Sequence, residues 1–353
     1  MNRKDEHVKN AEAQYKIQHT DFDDLQFVHY SLSHQKTDKI FIAMRAFRRY
    51  FKTPFYINAM TGGSEWTKKI NEQFATVARE TDLVMATGSV SAAIKDPTLW
   101  DSFKIVRKVN PKGFVIANIG ADRTLGQAMR AIETLEADAL EIHLNTPQEI
   151  VMPEGDRDFH LYEEHIRTMV EEIDIPIIIK EVGFGMSEEF MQDLHQMGVQ
   201  IFDVSGNGGT NFVTIENERR KAHEMNYLAQ WGQSTAISLL ESQSLQAEGV
   251  QIIASGGIKD PLQMAKAYAL GASMVGMSGQ FLHKVLNEGI DATIQMVHDY
   301  EEQLRLIAAM LDVSAIRDLT KTDLVITGRV AEWCQRRRIP IDYFATRRRD
   351  YRE

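Results

Sequence analysis

Cysteine is nearly absent from this chain: Cys334 is the only one in 353 residues. That excludes an intramolecular disulfide and any zinc site built on thiolates. Cys334 stands in Trp333-Cys334-Gln335 beside a basic run, with no glycine-rich or strained setting, and reads as a surface or helix-packing thiol. No apolar run approaches the ~20 residues of a membrane helix. The opening residues Met1-Asn2-Arg3-Lys4-Asp5-Glu6-His7 have no apolar stretch behind them, so no secretory leader is expected. A soluble, cytoplasmic protein is the expectation. A surplus of positive charge is missing too: 40 Lys and Arg face 50 Asp and Glu, for a net charge of -10. Nucleic acid is therefore not an expected partner, since its recognition needs a broad basic surface. A small anionic substrate stays open, because salt screens distant charge beyond about 10 Å.

What is present is a series of eight short apolar runs, at 55–60, 84–88, 114–120, 139–144, 176–182, 200–206, 251–257 and 273–279. Short Ile- and Val-rich runs separated by helical patterns read as parallel strands buried on both faces. Eight of them predict a single α/β domain over 1–353, a (β/α)8 or TIM barrel. An N-terminal arm occupies 1–50, the barrel 55–279, and the last barrel helix and C-terminal helices 280–353. A polar helix is expected over 5–15, a turn at 21–25 followed by a segment packing on the barrel, and helix starts at Asp96-Pro97, Ser187 and Asp260-Pro261. The stretch 212–232 reads as a loop insertion, either a lid over the barrel mouth or a solvated excursion. The arginine runs 336–338 and 347–349 read as a solvated face or a subunit contact.

In such a barrel the chemistry sits at the C-terminal ends of the strands. Alternation puts Glu141, His143 and Asn145 on the lumenal face of the fourth strand, while Leu140, Ile142 and Leu144 face the helices. The three polar groups form either a satisfied core network or a functional site. Pro147 is expected to keep Asn145-Thr146 extended, with Gln148 and Glu149 arriving at the mouth. Lys180 ends an Ile run, and a buried ammonium needs an anion or an electron-rich group. Either Glu141 or Glu181 pairs with it, or it contacts a cofactor. Gly256-Gly257, Ser278-Gly279 and Asn207-Gly208-Gly209-Thr210 end the late strands, where bare backbone N–H groups commonly hold phosphate.

With these residues assembled, the chain resembles the type 2, flavin-dependent isopentenyl diphosphate isomerases over essentially its whole length. The resemblance rests on Arg3-Lys4-x-x-His7, Asn58-Ala59-Met60-Thr61-Gly62-Gly63, Thr87-Gly88-Ser89, Asn118-Ile119-Gly120, His143-Leu144-Asn145 with Gln148-Glu149, Lys180-Glu181-Val182-Gly183, Gly208-Gly209-Thr210 and Ser255-Gly256-Gly257-Ile258. The first motif and His-x-Asn-x-x-Gln-Glu are the specific ones. The resemblance implies FMN, with Gly256, Gly257, Ile258, Ser278 and Gly279 about its phosphate. Ala59, Met60, Thr61, Ser89, Asn118, Lys180 and Thr210 would line its ring and ribityl chain. It implies that Arg3, Lys4 and His7 bind the substrate diphosphate, that Ser89, His143, Asn145 and Gln148 touch substrate, and that Glu149 binds Mg²⁺. Gln148, His143 and Lys180 are the implied catalytic residues. NADPH is the implied reductant of FMN, and a homo-oligomer, tetramer or octamer, the implied assembly. One position departs from the pattern: Ser91 stands where many members carry an arginine. Either the arm cations suffice there or another residue substitutes. The competing readings are another FMN barrel enzyme, such as a 2-hydroxyacid oxidase, or a non-catalytic prenyl-diphosphate or flavin scaffold.

Overall fold

The computed structural model describes residues 3–15, 20–220 and 222–350. Three short strands come first: β1 (Leu25–Phe27), β2 (Met44–Ala46) and β3 (Arg49–Phe51). Then follow β4 (Phe55–Ile57), β5 (Met85–Ala86), β6 (Val115–Gly120), β7 (Ala139–His143), β8 (Ile177–Lys180), β9 (Ile201–Asp203), β10 (Gln251–Ser255), β11 (Met274–Met277) and, last, β12 (Leu324–Ile326). Strands β4 to β11 pair in chain order and β11 returns to β4, which closes a parallel eight-stranded barrel. All eight expected runs are strands. Most end a few residues early, because the tips leave the ladder and bond neighbouring loops: Gly88 N–H donates to Thr61 at 2.8 Å and Gly206 N–H to Ser255 at 3.1 Å.

Two apolar layers hold the barrel. One lies between the strands and the outer helices, filled by side chains such as Leu140, Ile142, Ile179, Phe202 and Val275. The other fills the lumen from below, with Tyr56, Ile116, Ala139, Ile178, Ile201, Ile253 and Met274. Alternation places these inside, one step before the polar residues that end the same strands. The β2–β3 hairpin plugs the N-terminal end. Its turn residues Phe47 and Arg48 take φ of 48° and 62°, the left-handed pair of a tight hairpin turn. Phe47 stacks on Phe114, meets Tyr56 edge-on, and donates its N–H to Gln251.

Several local expectations are corrected. Thr146 is not extended: it opens a helix, Thr146–Val151, with Pro147 in the first turn, where no N–H is needed. Asp96 caps a 3₁₀ turn, Pro97–Trp100, and the helix proper begins at Asp101. The segment after Asp21 pairs, as β1, with β12 and not simply with the barrel wall, so the C-terminal extension is not purely helical. The arginine runs are partly internal clamps. Arg347 is buried and donates to the carbonyls of Thr322 and Ala269, while Arg337 pairs with Glu241 and Glu189. Cys334 is fully buried and its thiol is pushed up to about 11 by burial, then by Glu241. No helix among the described residues is long and apolar enough to cross a membrane.

The arm is a helix, Arg3–Gln14, with Val8 and Ala11 buried. It is secured at its far end by Tyr15, which stacks on His283 at 4.1 Å, and by Glu12, whose carboxylate lies 2.7 Å from His283 Nδ1. The insertion contains a second short helix, Phe212–Glu218, capped by Asn211. Lys221, within the expected insertion, and Met1, Asn2 and 16–19 of the arm lie outside the described residues.

Candidate active site

A cavity of about 300 Å³ opens at the C-terminal end of the barrel, roofed by the arm helix and the insertion helix. Its floor is set by strand register. Asn118 lies opposite Glu141, His143 opposite Lys180, and Lys180 opposite Asp203. Glu141 is fully buried. It accepts from Asn118 Nδ2 at 2.9 Å and from the Tyr56 hydroxyl at 3.4 Å. Burial, helped by Asp203 and opposed by Lys180, pushes its carboxyl up to about 7. The core-network reading therefore holds for Glu141, which does not line the cavity.

Lys180 does form a salt bridge, but with neither of the expected acids. Its Nζ donates to Asp203 Oδ2 at 2.6 Å and to Ser255 Oγ at 3.3 Å. Asp203 is fully buried and also accepts from Asn58 Nδ2 at 2.9 Å and from Ser255 Oγ at 2.5 Å. Glu181 turns instead to the N–H of Val182, and burial pushes its carboxyl up to about 8. Lys180 still faces the cavity, so the pair presents an anchored ammonium at its base.

His143 completes the floor. Its Nδ1 lies 2.9 Å from Asn118 Oδ1. Since the Asn118 amide nitrogen is spent on Glu141, its oxygen faces His143, which makes Nδ1 the protonated nitrogen and leaves Nε2 as an acceptor. Burial first, then the charges of Lys4 and Lys180, press the imidazole down to about 3. His143 is neutral across physiological pH.

The rim is built from distant segments. Gln148, on the Thr146–Val151 helix, donates Nε2 to Glu216 Oε1 at 2.8 Å. His7 Nε2 lies 3.0 Å from the same oxygen, at an angle too poor for a hydrogen bond. Arg219 gives Nη1 to Glu216 at 2.5 Å, Nη2 to Glu154 at 2.5 Å and Nε to Glu6 at 3.3 Å. Burial alone would raise the Glu216 carboxyl, but contact with His7, Gln148 and Arg219 brings it down to about 2. Arg3 lies 3.9 Å from Glu154. Lys4 lines the cavity, and its amine is lowered to about 8 by burial and by Arg3, against the pull of Glu216.

Of the residues expected at the site, Arg3, Lys4, His7, Ala59, Met60, Ser89, Asn118, His143, Asn145, Gln148, Glu149, Lys180, Thr210, Gly256, Gly257, Ile258, Ser278 and Gly279 all line this one cavity. Thr61 does not: its side chain is buried and its hydroxyl is spent on Asn71 at 2.5 Å. Sequence reasoning missed Asp203, Tyr56, Asn58, Arg123, Glu216 and Arg219. Asp203 had a signal, a lone acid on the lumenal face of an apolar strand. Ser91 keeps a guanidinium beside it after all, since Arg123 Nε donates to its Oγ at 3.2 Å.

The donor set suits a flavin nucleotide. The cavity wall from β9 round to β11 carries no carboxylate among its described residues, only neutral loops and Lys259. That wall also holds the start of the long helix Gly279–Met310, where a Cβ on Gly279 would reach nothing nearer than Tyr15 at 3.9 Å. Exposed amides at a helix N-terminus suit a phosphate. The glycines of the other loops have a different purpose from the expected one. Gly256 and Gly257 have φ of 90° and 76°, and a Cβ would strike the backbone of Gly206 and Gly208, so they let adjacent loops nest. For a divalent cation the protein offers little: no group of three or more metal-ligating side chains exists among the described residues. Glu149 accepts from Asn145 Nδ2 and Asp156 N–H, both at 2.9 Å. As a single carboxylate it suits an ion that keeps its waters and shares a substrate phosphate.

A sequence profile of the FMN-dependent dehydrogenase family matches residues 102–326. Isopentenyl-diphosphate delta-isomerases of Staphylococcus aureus strains JH9 and Newman are each 49% identical over 339 residues, covering 96% of this chain and 97% of theirs. Among solved structures, a mandelate oxidase variant carrying a monooxide FMN adduct superposes with a TM-score of 0.66 at 14% identity, covering 91% of this chain and 92% of that one. The flavin-binding domain of baker's yeast flavocytochrome b2 gives 0.62 at 17%, covering 89% and 78%. At such identities these two speak for the barrel alone. Fold, profile and close relatives agree: the chain belongs to the type 2, FMN-dependent isopentenyl-diphosphate delta-isomerase family of enzymes.

Proposed function

We propose that the enzyme moves the double bond of isopentenyl diphosphate to give dimethylallyl diphosphate with FMN held reduced, NADPH supplying the electrons, and Mg²⁺ on the diphosphate. The observation that carries this reading is the meeting of two unlike surfaces in one cavity. A neutral, glycine-lined wall suited to a flavin phosphate faces a rim bearing the cations Arg3 and Lys4. A 2-hydroxyacid oxidase would want a histidine with arginines near the late strands, whereas His283 is engaged by Tyr15 and Glu12.

Ala59, Met60, Ser89, Asn118, Thr210 and the loops at Gly256-Gly257-Ile258 and Ser278-Gly279 would hold FMN, and when bound its reduced ring supplies acid–base chemistry toward the alkene. Lys180, fixed by Asp203 and Ser255, stabilises negative charge at the base of the cavity. Arg3, Lys4 and His7 receive the diphosphate, with Glu149 contributing one oxygen to Mg²⁺. His143 binds as a neutral imidazole. Gln148 is a poor base itself, and its amide is aimed by Glu216, whose carboxylate, brought down to about 2, stays ionised and fixes the amide in place. The proposal includes a cytoplasmic homo-oligomer, tetramer or octamer, supported by family likeness alone, and sedimentation measures it.

An anaerobic assay tests the chemistry. Purified yellow enzyme should interconvert the two isomers only after reduction by NADPH or dithionite, and only with Mg²⁺ present. Equal turnover by oxidised enzyme, or by enzyme stripped of flavin, would refute the reading.

A further inference from the structure

We infer that Arg123 is a substrate-binding residue, whose guanidinium receives the diphosphate together with Lys4 of the arm. The inference rests on the reading above that the substrate is a prenyl diphosphate. Arg123 follows β6, in a turn closed by its own N–H donating to Gly120 at 3.1 Å. Two contacts fix the plane of its fork. Nε donates to Ser91 Oγ at 3.2 Å, and Nη2 meets Asp122 Oδ2 at 2.7 Å. Ser91 is in turn held by the Ser89 hydroxyl at 3.0 Å.

The side chain is only 14% exposed and lines the cavity, yet Nη1 has no hydrogen-bond partner among the described residues. A guanidinium so enclosed calls for a second anion, and its planar fork matches phosphate oxygens in pairs. Asp122 does not fill that need. It is the adjacent residue in the chain, and burial and the nearby Asp156 both work against its charge. Direction is given by His143: Lys4 from the arm and Arg123 from β6 both act on its imidazole. A Cβ on Gly120 would strike Asp122, the partner of Arg123, and lie 3.4 Å from His143 Nε2. The Arg123 side of the cavity therefore adjoins His143, and a diphosphate bound over the imidazole can touch both Arg123 and Lys4. The serine at 91 has the length to brace a guanidinium and no charge to rival it.

The test uses reduced holoenzyme with Arg123→Leu, the isosteric-minded Arg123→Gln, and Ser91→Arg combined with Arg123→Leu. Arg123→Leu should raise KM for isopentenyl diphosphate about tenfold, with kcat and FMN affinity changed less than about twofold. The inhibition constant of inorganic pyrophosphate should rise by the same factor as KM. Arg123→Gln, which keeps polarity without charge, should behave likewise, and should report even if the leucine variant folds poorly. Restoring a guanidinium from position 91 should recover part of the loss. Wild-type KM and pyrophosphate inhibition in both single variants would overturn the assignment, as would a loss of FMN affinity equal to the loss in KM. Pyrophosphate binding by calorimetry reads the contact even if the wild-type enzyme proves not to isomerise, so failure of the substrate reading and failure of this contact stay separate.

Discussion

Glu141 on the barrel floor and Glu216 at its rim are both fully buried carboxylates, and the protein moves them in opposite directions, to about 7 and about 2. Burial pushes both up. The difference lies in the donors. Glu141 receives an amide and a distant phenol, while the nearest ammonium, Lys180, is spent on Asp203. Glu216 receives a guanidinium and an amide and touches an imidazole. Charge-assisted donors overturn the cost of desolvation where neutral ones do not. The floor thus keeps one acid that holds its proton near neutrality, and the rim keeps one that releases it.

The largest test of this contrast removes the anion that takes Lys180. Asp203→Ala leaves a buried ammonium with only Ser255, and should cost about 3–5 kcal/mol in urea unfolding together with FMN affinity. A loss under about 1 kcal/mol would mean the pair does not organise the floor. Next, Glu216→Gln keeps the shape and removes the charge. Turnover should fall about tenfold with FMN binding intact, as Gln148 loses its charged anchor, and unchanged kcat would strip Glu216 of any positioning role.

Arg219→Leu sharpens the rim. A depressed carboxyl stabilises the fold above its unfolded value of 4.5 and loses that contribution as pH falls toward 2. The variant should therefore be less stable than wild type by about 2 kcal/mol at pH 7, with the gap closing in acid; a gap that does not vary with pH would argue against ion pairing. The smallest effect belongs to Glu141→Gln. A raised carboxyl keeps its proton longer in the folded state, so wild-type stability should decline as pH climbs from 4.5 to about 7. The glutamine variant should lack that decline, and parallel urea midpoints at pH 5 and pH 8 would contradict the assignment.

The floor was legible in the sequence because a strand has period two and a closed barrel has one inside. Glu141, His143 and Lys180 were placed by counting. The same count reaches Asp203 within the run 200–206, but as the single acid of that run it was not weighed against Glu141 or Glu181 as the partner of Lys180. The rim was not legible in this way. Glu216 meets Gln148 and His7 from two other helices, and no local pattern encodes contacts across 68 or 209 residues; Arg219, three residues on, is a local pair, but nothing local aimed it at the mouth. Gln148 was brought to the mouth by the reading around Pro147, His7 only by the family likeness, and that likeness said nothing of Glu216 or Arg219. Thr61 shows the converse. Its motif position suggested a ligand contact, yet Asn71 sits ten residues on, within reach of its hydroxyl.

The β2–β3 hairpin has one more effect, on traffic. With Phe47 driven into the base of the lumen, that end of the vessel is stoppered, and the cavity opens at the other. Passage through it runs beside the contacts of Arg219 with Glu6 and Glu154, a latch that ties the arm to the insertion at the mouth.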